Sequence, residues 1–483
     1  MPRFSQAFGL GKSQLELDFV DVSLLRDNRL FLDPFAVAQE LDRWSQDAAR
    51  TVGMFFQQVV NDIREGHEDN ARQLLLNLRE PNETRLGYSA NRPQGAGIGD
   101  QQAEEIFEAL RTSSAVRQGF ITALEECELM IPGISHDKIS DLTTNILRGH
   151  LVDYTRSQCE LHGVAVQNVP IDPIFNNDTV RWEEQYVDLP VWHNRPILLV
   201  PKSAVRYSPA YQQDRYYQHY VLNFLKAREL NNPHSALVRL IRNERKKTVR
   251  RVVRKKDLAA RYPRAKEFLF QFSRDNPGVL RGYREDLKQM ERTDSASDVD
   301  SDDETVIAEA LAEVLRNTAV GNDQATAYHR LMIGIVEFIF YPQLSHPKKE
   351  QEIHEGRKRI DIVMENGAHT GVFYTLPNIR HLPCAYVPLE CKNYGREVAN
   401  PELDQLAGRF SVNRGKVGFL CCREFENRDL FIQRCRDTFG DDRGLVLPLD
   451  DPTVLHYLDR IAHGNRNELE REWAHLVNEV CLN

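Results

Sequence analysis

The 483-residue chain has no apolar run long enough to span a bilayer. Its first residues, Met-Pro-Arg-Phe-Ser-Gln, lack the basic and apolar parts of a secretory signal. These absences predict no membrane partner, and the scattered thiols fit reduced cysteines in a cytosolic protein. Cysteine is sparse and scattered, with eight residues and no Cys-x-x-Cys pair, which argues against a disulfide framework or a zinc ribbon. Positive charge is not in excess: 62 Lys and Arg face 71 Asp and Glu, for a net charge of −9. Any contact with nucleic acid must then come from a local basic surface. No repeat of fixed period is present. What remains, 41% hydrophobic and 28% charged, is the composition of a soluble globular chain long enough for two to four cores.

The clearest boundary is the stretch TDSASDVDSDDET, residues 293–305, which is acidic, Ser-rich and nearly free of apolar residues. It divides residues 1–292 from 306–483. The first part reads as a mainly helical sensor or substrate-binding region with a small sheet. Long stretches such as 35–66 carry helical spacing of apolar residues, and VDLPVW and RPILLVPKSAVRY read as strands. After the linker, VIAEALAEVLRN reads as a helix on the second core.

Several short motifs carry no chemistry. GLGKS at Gly9–Ser13 lacks the first glycine of a phosphate loop, since Gln6 stands in its place. QGAGIGD at Gln94–Asp100 follows no strand, and its glycines read as a flexible turn. His354 and Glu355 form HExG, not the zinc motif HExxH. Glu355 reads as a surface acid, with an auxiliary metal ligand as the alternative.

The informative region is RIDIVM (Arg359 to Met364), a loop, and YVPLEC followed by Lys392. Both segments read as strands, with Pro388 pushing the second towards an edge or a bulge. Side chains alternate across a strand, so Glu390 and Lys392 share a face, and Asp361 must join them from a neighbouring strand. Two carboxylates suit Mg²⁺ or Mn²⁺, and a lysine beside them can orient a water or a phosphate oxygen. Residues 323–340 read as a helix ending at Tyr341-Pro342, with Glu337 in an otherwise apolar stretch. Glu337 reads either as a site acid or as a surface or capping acid. A further helix follows with Asn400 as N-cap and Pro401 at its first position, and it carries Gln405 one turn in. Lys416 to Cys422 (KVGFLCC) reads as a buried strand.

In this order, residues 323–451 resemble the PD-(D/E)xK nuclease superfamily, nearest to Mrr-like restriction endonucleases and Holliday-junction resolvases. Glu337, Asp361, Glu390, Lys392 and Gln405 match the family's site positions, and ECKNYG…ELDQLAGRF is similar to its signature. The resemblance implies an α/β (α+β) fold class: a restriction-endonuclease-like core with a mixed central sheet flanked by helices. It implies a Mg²⁺- or Mn²⁺-dependent hydrolase, with Asp361 and Glu390 as metal ligands, acting on DNA in prokaryotic restriction or anti-phage defence. The interval from Asp361 to Glu390 is longer than a tight hairpin needs, and an inserted loop is expected there.

Between Arg242 and Lys256 nine of fifteen residues are Lys or Arg. Arg245, Lys246, Lys247, Arg250, Arg251, Arg254, Lys255 and Lys256 are the candidate phosphate contacts, in a segment whose periodicity fits strand or helix. A solvated face paired with acids elsewhere is the alternative. The expected partner is double-stranded DNA, with a homodimer or larger homo-oligomer to cut both strands. Two other readings stay open: a nuclease fold that binds nucleic acid without cutting it, and an RNase or tRNA nuclease.

Overall fold

The structure is a computed structural model that describes residues 2–79, 81–87, 98–243, 248–294, 303–349, 362–393, 395, 398–399, 400–482. Two hydrophobic clusters organise it. One runs from Phe4 to Leu287, and the other from Ala308 to Val480, with Leu15 and Leu161 reaching into it from the first part.

The first cluster is built mainly of helices. Its longest, α1 (Arg43–Glu65), begins where the Asp42 carboxylate accepts from Ser45 N at 2.8 Å and ends at Gly66, whose φ of 83° suits glycine. The apolar spacing over 35–66 suggests one helix, but the chain makes two, Pro34–Gln39 and Arg43–Glu65. Asp42 interrupts the pattern because its side chain caps the second helix. The strand segments form two-stranded ribbons, such as Gln167–Pro170 with Tyr186–Leu189. Tyr216–Val221 is wound as a wider π-helix turn before the α-helix Leu222–Asn231.

The second cluster surrounds a five-stranded mixed sheet. Its strands, in spatial and chain order, are β1 (Leu344–Lys348), β2 (Ile362–Asn366), β3 (Tyr386–Lys392), β4 (Val417–Cys422) and β5 (Leu445–Asp450). The first three are antiparallel, and β4 and β5 run parallel to β3. Helices α2 (Glu304–Asn317), α3 (Ala325–Phe340), α4 (Gly371–Asn378), α5 (Asn400–Ala407), α6 (Arg428–Gly440), α7 (Asp451–Ala462) and α8 (Arg466–Cys481) flank it. Phe340 lies near the centre, with ring centroids 4.9 Å from Phe419 and 4.8 Å from Trp473.

Three local expectations need correction. Pro388 does not move its strand to the edge: β3 is the middle strand. The ladder with β4 starts at Leu389–Phe419, one residue after the proline, so the missing N–H falls at the ladder's end. The expected inserted loop contains a helix, α4, whose Phe373 joins Phe340 and Trp473 in the core. The acidic stretch is also shorter than its composition suggests, since the helix Pro277–Asp294 enters it and Asp303 caps α2 by accepting from Thr305 N. Residues 295–302 between them lie outside the described residues.

β1 would be an exposed edge, and the N-terminal part covers it. A register shift between Ser345 and Lys348 takes His346, at φ 50°, out of the ladder. The ring is 1% exposed, with Nδ1 3.3 Å from Asp18 and Nε2 3.0 Å from Asp42. Tyr154 donates to Asp18 at 2.6 Å, Gln158 donates to Pro347 O at 3.0 Å, and Trp44 N donates to Glu365 Oε2 at 3.0 Å. Burial pushes the imidazolium down, but Asp42 and Asp18 outweigh it and hold it well above 6.5. Burial likewise pushes Asp18 up, and His346 and Tyr154 reverse this to about 2. Asp42 is also lowered, burial being outweighed by His346 and Ser45.

The signs fix a pH window. A raised histidine contributes stability below its unfolded pKa and loses it as pH rises through the folded value; a depressed aspartate loses its contribution as pH falls towards about 2. Thermal unfolding of the full chain should therefore show a stability plateau in mildly acid solution and a decline above neutrality. The alkaline decline should be shallower in His346→Gln. The same slope in wild type and variant would contradict the pairing.

Candidate active site

Glu390 sits near the end of the middle strand and is 1% exposed. The residues before it, Val387 to Leu389, are buried, so the strand carries a carboxylate into the core. Such a group needs donors. Lys392, two residues on and on the same face, donates from Nζ to Glu390 Oε1 at 2.6 Å. Gln405 on α5 donates from Nε2 to the same oxygen at 2.9 Å and accepts from Lys392 Nζ at 3.3 Å. The other oxygen, Oε2, accepts from Arg409 Nη1, and that side chain is as buried as the carboxylate.

Local structure sets this geometry. Helix α5 starts one residue earlier than its sequence suggests: Ala399 is the N-cap, and its N–H donates to Glu402 Oε2 at 3.0 Å. The helix ends at Gly408, and Arg409 follows at once. Its N–H donates to Leu406 O at 3.0 Å, which keeps it close to the last turn that carries Gln405. Beyond Lys392, Asn393 donates to Gly321 O at 2.9 Å and to Ala319 O at 3.2 Å, while Gly321 N donates back to Asn393 O at 3.0 Å. The strand end is thus anchored to the segment joining α2 and α3.

The structure brings Glu390, Lys392 and Gln405 together and adds Arg409. Sequence reasoning missed Arg409, although its spacing from Gln405 is visible in QLAGR. Asp361 lies outside the described residues. Its chain neighbour Ile362 pairs with Leu389, the chain neighbour of Glu390. Glu337 is drawn elsewhere: its carboxylate is 3.3 Å from Lys202 Nζ, both groups almost fully buried. Burial pushes this carboxyl up to about 8, with Lys202 pulling the other way. The helix face carrying it meets the N-terminal part throughout. Lys12 Nζ donates to Arg330 O at 3.3 Å, and Lys202 lies 3.8 Å over the Tyr341 ring.

Among the basic candidates, Arg245, Lys246 and Lys247 lie outside the described residues. Arg250 and Arg251 lie on an antiparallel ribbon, Arg239–Asn243 with Thr248–Val252, and Arg254 is the N-cap of the helix Lys255–Arg261, which Lys255 and Lys256 open. The strand reading of the periodicity is the one realised. Arg250, Arg251, Arg254, Lys255 and Lys256 are exposed. Arg251 donates to Asn232 O at 3.1 Å and Lys255 to Gln218 O at 2.7 Å, so two of the five are partly committed to backbone.

As for a metal, no group of three or more His, Cys, Asp or Glu side chains among the described residues is arranged to hold a metal ion. At the strand end they supply one carboxylate, Glu390. A hard divalent cation needs more oxygen donors than that, so its fit depends on Asp361. No helix among the described residues is long and apolar enough to cross a membrane.

Arg409 and Glu390 are both buried, so removing one leaves the other's buried charge less well balanced. Arg409→Met should cost about 3 kcal/mol in chemical denaturation, and adding Glu390→Gln should recover part of that loss. A cost below about 1 kcal/mol, the range of exposed pairs, would show that the pair is solvated.

A family described as a domain of unknown function (DUF8370) matches residues 9–212, which lie within the N-terminal part. No curated protein and no solved structure matches the chain.

Proposed function

We propose that the chain is a metal-dependent nuclease, a hydrolase of phosphodiester bonds in double-stranded DNA, with its active site at the end of β3. The observation that carries this reading is the convergence of Glu390, Lys392 and Gln405 on one oxygen-centred cluster. The mixed sheet that presents them, three antiparallel strands followed by two parallel ones, supports it.

In this reading Asp361 and Glu390 hold Mg²⁺ or Mn²⁺, which when bound would stabilise charge developing on the phosphate. Lys392 supplies a compact positive charge close to that carboxylate and orients a water or a phosphate oxygen. Gln405 holds Lys392 and Glu390 in register with each other. Glu337 takes no part, because it is paired with Lys202 in the interdomain contact. The exposed ribbon and helix carrying Arg250, Arg251, Arg254, Lys255 and Lys256 supply sequence-independent backbone affinity that weakens with salt. A role in restriction or anti-phage defence, and a homodimer that cuts both strands, belong to the same proposal through the family resemblance.

One observation favours a second reading. Arg409 engages the Glu390 oxygen that Lys392 and Gln405 leave, so the carboxylate is already balanced by protein cations. A protein that contacts DNA through this fold without cutting it would need nothing more.

Cleavage separates the two. Supercoiled plasmid incubated with the full chain and Mg²⁺ should be nicked or linearised, and EDTA should stop it. Lys392→Ala should lower the rate by roughly a hundredfold or more, the scale of a lost electrostatic or acid–base group, while it still unfolds cooperatively and its DNA affinity stays near wild type. Unchanged cleavage by Lys392→Ala would refute the assignment. No cleavage by the wild type on DNA or RNA would favour the binding reading.

A further inference from the structure

The N-terminal part holds a cavity of about 610 Å³, far from apolar in character. That volume lies within the range of small-molecule sites. One wall is the C-terminal half of α1, with Gln58 and Asp62. A second is the helix Glu68–Leu75 and the turn after it, with Gln73 and Asn77. The third is the ribbon Ile174–Asn176 with Arg181–Glu183, which brings Arg181 and Trp182.

Its chemistry is specific in three ways. Four carboxamides line it, from the residues just named and Asn70, and each amide both donates and accepts. Among the described residues, none of the exposed Asn70, Gln73 and Arg181 and the half-buried Asn77 side chains makes a hydrogen bond or an ion pair, so all four stay open to a ligand from solvent. Asp62 is 5% exposed and accepts from Gln58 Nε2 at 3.1 Å, so the deepest acceptor is held in place. Trp182 gives its indole N–H to Leu74 O at 2.8 Å and leans on Phe55 and Phe175, which leaves carbon surface of the ring to the cavity.

The rim adds a further sign. Val180 has φ 54°, a left-handed conformation that a β-branched residue adopts only when its surroundings impose it. Glycine would relieve the turn, yet an exposed valine lines the cavity here.

We propose that this cavity binds a neutral ring rich in hydroxyl groups, either a free sugar or the sugar portion of a nucleoside. One carboxylate and one guanidinium balance each other, so the lining does not select an anion. A phosphate site would call for several cations around it. Carboxamides in facing walls match vicinal hydroxyls, which also donate and accept at once. The indole surface matches the C–H face of a sugar ring. The site is separate from the strand-end cluster, and its occupant would act on the N-terminal part that carries the family match.

Isothermal titration of the full chain tests this in two arms, with glucose, N-acetylglucosamine and maltose in one, and adenosine and uridine in the other. AMP serves as the charged control. One arm should bind at a single site with Kd below about 1 mM, and AMP should bind no tighter than adenosine. Gln73→Ala and Asn77→Ala, both away from the core, should each weaken binding roughly tenfold without shifting the melting temperature. Absence of binding in both arms would overturn the proposal. So would a preference of more than about tenfold for AMP over adenosine, or unchanged affinity in both variants.

Discussion

A buried carboxylate on the middle strand of a sheet is the constraint from which the rest of the C-terminal half follows. Glu390 is 1% exposed and pairs with Leu420 of the wholly buried β4, where water cannot serve its oxygens. Leaving it unpaired would cost several kcal/mol. Its partners come from the strand itself, from α5 and from the residue just past α5's end. For all three to reach it, α5 must dock across the strand end, and the chain must turn at Gly408 to bring Arg409 inward. This arrangement places a cation, a carboxylate and a carboxamide within one hydrogen-bonded unit. Such a unit is preorganised, with no side chain free to drift, which is what electrostatic catalysis requires.

The second constraint is the join between the two parts. The edge strand β1 is closed off by the N-terminal part, and the contact is ionic at its heart. His346 lies between Asp18 and Asp42, and Glu337 meets Lys202. Asp42 does double service, capping α1 and facing His346. A shift of the two parts would uncover several charges together, so the contact specifies one relative placement. This also explains why Glu337, on a helix of the second core, is drawn away from the strand-end cluster.

Much of the strand-end cluster was legible because its signals are local. Glu390 and Lys392 are two apart on a strand, and period-two alternation alone puts them on one face. Gln405 lies one turn into a helix with a recognisable start. The buried strand at Lys416 to Cys422 is readable from its unbroken apolar run, and all of Val417–Cys422 is buried. Arg409 was harder, because an arginine after a helix-ending glycine more often points to solvent. Glu337 was ambiguous for a different reason. Its apolar surroundings make an unpartnered acid costly but leave a site acid and a surface or capping acid both open, because its partner Lys202 is over a hundred residues away and no sequence pattern joins them. His346 left no signal at all, since its role depends on a bulge and on two aspartates from the other part. The basic ribbon shows the limit of periodicity: TVRRV fits two elements equally well, and pairing with Arg239–Asn243 settles it.

In the proposed site Glu390 and Asp361 share one divalent cation. Mn²⁺ titration of the full chain, followed by electron paramagnetic resonance, tests it without reference to cleavage. One Mn²⁺ should bind per chain, be displaced by excess Mg²⁺ and be lost in both Asp361→Asn and Glu390→Gln. Equal Mn²⁺ binding by the wild type and these two variants, or none by the wild type, would contradict it.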